Sequence, residues 1–99
     1  MKYRVETTSH FDKWFSKPRD NQVKIRLLAR LARVENGNFG DYKALTDNLF
    51  ELRFFFGSGL RIYYTIQEDR IVLLLVGGKK ASQNKDIEKA KTLLKALEH

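Results

Sequence analysis

The sequence predicts one α+β domain, ordered β-α-α-β-β-β-α, whose sheet is mainly antiparallel and whose helices pack on one face of it. Three observations lead there. Val23, Leu27, Leu31 and Val34 recur at helical spacing, with Leu28 and Ala32 beside them. Three strand-like runs then follow one another, parted by Gly57-Ser58-Gly59 and by Glu68-Asp69. Ile87, Ala90 and Leu94 form a last apolar stripe of roughly helical period. A chain of 99 residues supplies one modest core and too little for two.

Taken in order, the opening seven residues read as a short strand. Ser9 stands where it would cap a first helix whose opening turn carries Asp12, and Pro18 ends that helix. The second helix starts at Asp20, runs to Glu35 and closes at Asn36-Gly37. The segment NGNFGDYKALTDN is rich in turn formers and reads as loop. Strands are expected over residues 49–56, 60–67 and 70–76, with Gly77-Gly78 ending the last and Ser82 capping the final helix. No repeat, linker or low-complexity tract divides the chain, so residues 1–96 form the expected domain. Leu97-Glu98-His99 read as the start of an expression tag and are set apart from functional reasoning.

With 42% apolar and 31% charged residues the chain is of globular composition. Its longest apolar run, residues 71–76, is far too short to span a bilayer, and residues 2–6 lack the apolar stretch of a signal peptide. A cytoplasmic protein with no membrane role is therefore expected. The absence of cysteine excludes disulfide frameworks and thiolate zinc sites, and no metal or cofactor is expected. Nineteen Lys and Arg against twelve Asp and Glu leave a net charge of +7 and a pI near 9.8, which calls for a polyanionic partner. Nucleic acid fits best, because phosphate contacts release counterions; an acidic protein or an anionic membrane surface would use the same charge.

The stretch RFFFGSGLRIYY brackets an apolar hairpin with two arginines. With Gly57-Ser58-Gly59 as the loop, Phe55 would pair with Arg61, Phe54 with Ile62, and Arg53 with Tyr63. Alternation then places Phe50, Leu52, Phe54, Ile62, Tyr64 and Ile66 on the face the helices cover. Glu51, Arg53, Phe55, Arg61, Tyr63 and Thr65 share the other face, expected to be open. There two guanidiniums would offer forked donors to a phosphate, and Phe55 and Tyr63 surfaces for a base to stack on.

These residues, with FDKWF, RLARVENGNFGDYKAL, LFELRFFFGSGLRIYY and LLLVGGKKASQNKDIEKA in that order, resemble the RelE/ParE superfamily of toxin-antitoxin toxins, and within it the addiction module killer group related to HigB. The resemblance spans nearly the whole chain. It implies a toxin neutralised by a cognate antitoxin. RelE-like members enter the ribosome and cut bound mRNA without a metal, whereas ParE-like members act on DNA gyrase. A nucleic-acid-binding module that has lost its chemistry is a further alternative.

Metal-free RNA cleavage needs a base near the 2′-hydroxyl, cations on the scissile phosphate and an acid for the departing 5′-oxygen. By the resemblance, Arg61 matches the arginine of the RelE-type YR element, and Arg53 in ELR is its companion. Lys79 and Lys80 follow the last strand where such toxins carry basic residues. Lys43 lies in the loop before the sheet. The family's C-terminal tyrosine or histidine has no counterpart in QNKDIEKA. The proton-transfer group is therefore left among Tyr63, Glu51, Asp86 and a lysine of depressed pKa. The expected catalytic set is Arg61, Arg53, Lys79, Lys80 and Tyr63; the expected RNA-binding set is Lys43, Phe55, Arg26, Arg30 and Arg33. The last three, at i, i+4 and i+7, suit a solvated helix face as well as an RNA-binding stripe. Trp14 reads as a packing residue. Gly77-Gly78 before lysines lacks the GxxxxGK[ST] spacing of a phosphate loop.

Overall fold

A computed structural model describes residues 2–97. Its elements are β1 (Arg4–Thr7), α1 (Ser9–Ser16), α2 (Asn21–Glu35), β2 (Tyr42–Ala44), β3 (Phe50–Arg53), β4 (Leu60–Gln67), β5 (Ile71–Lys79) and α3 (Gln83–Leu97). A single 3-10 turn, Lys80–Ser82, leads into α3. The five strands form one sheet in the order β1-β5-β4-β3-β2; β1 lies parallel to β5 and every other pair is antiparallel. The α+β class and its mainly antiparallel sheet are as the sequence predicts.

Local chemistry sets most boundaries. Thr8, one residue before the expected Ser9, caps α1: its hydroxyl accepts from Phe11 N at 3.1 Å and donates to Leu75 O at 2.7 Å, tying the helix start to β5. Asp20 caps α2, accepting from Gln22 N at 2.7 Å. Glu68 and Asp69, both at positive φ, make the tight turn between β4 and β5. Leu97 is the last residue of α3; the other two residues read as tag, Glu98 and His99, lie outside the described residues.

Three strands differ from expectation. Tyr42–Ala44 is an edge strand rather than loop, because Leu45 and Thr46 both donate to Leu49 O and close a hairpin onto β3. β3 stops at Arg53, so Arg61 pairs with Arg53 and not with Phe55. That two-residue shift preserves which side chains share a face, since the side-chain period is two. β5 runs straight through Gly77-Gly78 to Lys79. The glycines do not end the strand; they admit neighbours. A Cβ on Gly77 would lie 2.1 Å from the Trp14 ring, and one on Gly78 would lie 1.9 Å from the Asp86 carboxylate.

The helices do not share one face. α1 and α2 cover the first, where Phe11, Leu27, Leu31 and Val34 pack on Leu52, Ile62, Tyr64, Val72 and Leu74. α3 covers the second, its Ala90 with Ile87, Leu93 and Leu94 against Tyr63, Leu73, Leu75 and Val76. Burial on both sides explains why residues 71–76 form an unbroken apolar run rather than an alternating one. A bulge at Leu75, between the pairs Tyr63 with Val76 and Tyr64 with Leu74, bends β5 where it leaves β1 behind.

Candidate functional site

Pairing of β1 with β5 ends at Thr7 and Leu74, yet β5 continues to Lys79. Past Leu74 no strand among the described residues covers its outer edge, and that edge floors a cleft of about 500 Å3. Trp14, Lys17 and Arg19 form one wall, Ser82, Lys85 and Asp86 at the start of α3 form the other, and the hairpin tip at Gly57, Ser58 and Leu60 closes one end. Among the described residues four cations, Lys17, Arg19, Lys79 and Lys85, line it with one carboxylate, Asp86. Phosphate is the anion such a lining suits.

Trp14 is packed, as its apolar character suggests, against Gly77 and with its ring 5.6 Å from that of Phe11. It also faces the cleft. The Arg19 guanidinium lies 4.4 Å from the Trp14 ring and donates to Trp14 O, so it is held rather than free to sweep solvent. Burial lowers the Arg19 pKa from its ordinary value, but a guanidinium stays charged at any physiological pH.

Behind the cleft, Arg53, Arg61 and Gly78 form one row across β3, β4 and β5. The two arginines are neighbours, as expected, but the face that carries them is not open. Arg61 is 9% exposed. Its Nη1 donates to Gly59 O at 3.3 Å and Leu60 O at 3.2 Å, and its Nε lies 4.0 Å from Glu51 Oε1. Glu51 is fully buried, and its other oxygen accepts from Gln83 Nε2 of α3 at 2.7 Å. Arg53 is more exposed and pairs with Asp41 at 3.2 Å. A methyl on Gly59 would lie 3.2 Å from Lys80 Cβ and 3.8 Å from Arg61 Nη1, so Arg61 and Lys80 flank the same hairpin tip.

Several expected positions need correction. Tyr63 is not on an open face: it has no exposed surface, and burial, followed by the nearby Glu51 carboxylate, raises its phenol pKa well above the ordinary value. Such a phenol stays protonated and has no surface through which to meet a substrate. Phe55 is not beside Arg61 on the sheet; it stands in the β3–β4 loop, 87% exposed. Lys43 is on the edge strand β2, opposite Glu51, rather than in a loop. The expected stripe on α2 is broken. Arg30 spends its guanidinium on three main-chain carbonyls, those of Phe39 at 3.0 Å, Arg53 at 3.1 Å and Asp41 at 2.7 Å, and so clamps the loop before β2. Burial lowers its pKa, with Asp41 opposing. Arg26 lies 5.2 Å from the Phe56 ring, and with Arg33 it borders a separate hollow of about 290 Å3 on α2. Lys79 lines the cleft; Lys80 sits exposed on the turn beside it.

Lys17, Arg19 and Lys85 are absent from the expected set. The signal for them was Gly77-Gly78: paired glycines inside a strand-like run mark close approach of other groups, here the two walls of the cleft.

The family model for phage-derived protein Gp49-like matches residues 13–95. The chain belongs to the Gp49-like family. A further relative is an uncharacterized protein of Haemophilus influenzae, 43% identical over 97 residues that cover 98% of each chain. Among solved structures, a mutant of the E. coli toxin RelE in the free state superposes with a TM-score of 0.73 at 20% identity, covering 93% of this chain and 97% of that one. A chain of the intact E. coli RelBE toxin-antitoxin complex gives 0.59 at 19% identity over 78% and 95%. This Gp49-like protein therefore has the RelE fold, and its cleft lies at the end of the sheet where β4, β5 and the start of α3 converge.

Proposed function

We propose that this Gp49-like protein is the toxin of a toxin-antitoxin pair and acts in the cytoplasm as a metal-independent endoribonuclease, cutting mRNA on the ribosome. One observation carries the reading: on a RelE fold, the Arg53–Arg61 row ends at a cleft lined by four cations and one carboxylate. Cleavage of RNA by its own 2′-hydroxyl proceeds through a phosphorane-like transition state with charge gathered on the phosphate oxygens. Arg61, held by two carbonyls of the hairpin and facing Glu51, is a preorganised donor for that charge. Lys79, Lys80 and Lys85 supply further positive charge on the path of the strand, with the flexible reach that suits phosphates of varied position. The chain's net charge of +7 favours approach to ribosomal RNA.

Expression in cells lacking the antitoxin tests the reading. Incorporation of labelled amino acid should fall within minutes while DNA synthesis continues at first. Arrest of DNA replication with protein synthesis intact would instead assign the ParE-like activity against gyrase.

A further inference from the structure

We propose that Asp86 is the general base of the cleavage reaction, taking the proton from the attacking 2′-hydroxyl. The inference rests on the endonuclease reading and adds to it the group that the family resemblance leaves without a counterpart.

The structure separates the carboxylates and phenol that the sequence leaves open. Tyr63 and Glu51 have no exposed surface, and Glu51 is closed off by Gln83. Among the described residues Asp86 is the sole carboxylate lining the cleft. Its Oδ2 lies over Gly78, the residue directly opposite Arg61 on the next strand. Any side chain at position 78 would occupy that space; glycine leaves it to Asp86, which stands beside the row of arginines although it comes from a different element. Four cations line the same cleft, yet among the described residues Asp86 forms no ion pair within 4.0 Å. The single hydrogen-bond partner of its carboxylate there is the Ser82 hydroxyl, which donates to Oδ2 at 2.6 Å. Ser82 thereby fixes the same oxygen that lies over Gly78, and Oδ1 of the carboxylate so anchored takes the proton.

The step balances without a metal or redox partner. Asp86 takes the 2′-hydroxyl proton as O2′ bonds to phosphorus; the phosphorus–O5′ bond breaks, and the departing oxygen takes a proton from solvent. A 2′,3′-cyclic phosphate and a 5′-hydroxyl result, and Asp86 returns its proton to water. Arg61 opposes the charge that builds on the non-bridging oxygens.

A helix-capping role for the Ser82–Asp86 pair predicts different behaviour, and three variants separate the two. Asp86→Asn keeps an oxygen for Ser82, so it should melt like the parent and bind RNA equally well. Its single-turnover cleavage rate on programmed ribosomes should fall by about 100- to 10,000-fold, the usual span for losing a general base. Asp86→Ala should regain part of its activity with added formate or acetate, which a missing cap would not. Gly78→Ala should slow cleavage by displacing the carboxylate, and it should add little further loss to Asp86→Ala. Parental-rate cleavage by Asp86→Asn, or loss in Asp86→Ala that no small carboxylate relieves, overturns the assignment while leaving the endonuclease reading intact. A parent protein that cuts no mRNA overturns the underlying reading itself.

Discussion

Arg61→Ala should lower the rate of mRNA cleavage by about 100- to 1,000-fold, the loss expected when one preorganised donor to a developing oxyanion is removed, ~3–4 kcal/mol. The effect should appear in kcat more than in ribosome affinity, because the four cations that line the cleft still bind phosphate. Arg61→Lys should recover only part of the rate, since an ammonium lacks the two-pronged guanidinium. Unlike a substitution on an open strand face, Arg61→Ala should also destabilise the fold. The side chain is nearly buried, bonds the Gly59 and Leu60 carbonyls and faces the buried Glu51 carboxylate. Leaving those groups without their cation should cost about 1–3 kcal/mol. A denaturant melt read beside single-turnover kinetics separates the two effects; full cleavage by a folded Arg61→Ala protein would remove Arg61 from the reaction.

Gly77→Ala should produce the larger loss of stability, about 3 kcal/mol, because the new methyl would fall 2.1 Å from the Trp14 ring. Neither side can yield easily. Gly77 is fixed in β5 by its pairing with Ile62, and Trp14 is held by contacts with the Phe11 ring and the Arg19 guanidinium. The strain should spread to the cleft, since Trp14 is one of its walls. Trp14→Ala in the same chain should relieve most of the added strain, so that the double variant is more stable than the sum of the single effects implies. Equal melting midpoints for the parent and Gly77→Ala would contradict the close approach of ring and strand.

The element order apart from the short edge strand β2 was legible because it depends on local patterns. The helical spacing of Val23, Leu27, Leu31 and Val34 and the Asp20 cap place α2 within a residue of its observed limits. The two faces of the hairpin were also legible, because alternation survives a register shift of two. Where α3 packs was not. Its stripe of Ile87, Ala90 and Leu94 states that one side is buried, but not against which face of the sheet, and so Tyr63 read as exposed when it packs against α3, and Arg61 on the same face read as exposed when it is nearly buried. The glycine pair misled for a related reason: Gly77 and Gly78 look like a strand end unless Trp14 and Asp86 are already known to stand over them. The cleft joins residues more than sixty positions apart, from Trp14 to Asp86, and no spacing rule on a single chain reports such a meeting.

The endonuclease reading is tested most directly by adding the purified protein to a cell-free translation system and mapping the 5′ ends of a defined mRNA. The expected result is new ends inside the coding region within minutes, dependent on ribosomes, insensitive to a metal chelator once ribosomes are programmed, and strongly reduced with Arg61→Ala. Intact mRNA, with translation proceeding at the control rate, would contradict the account.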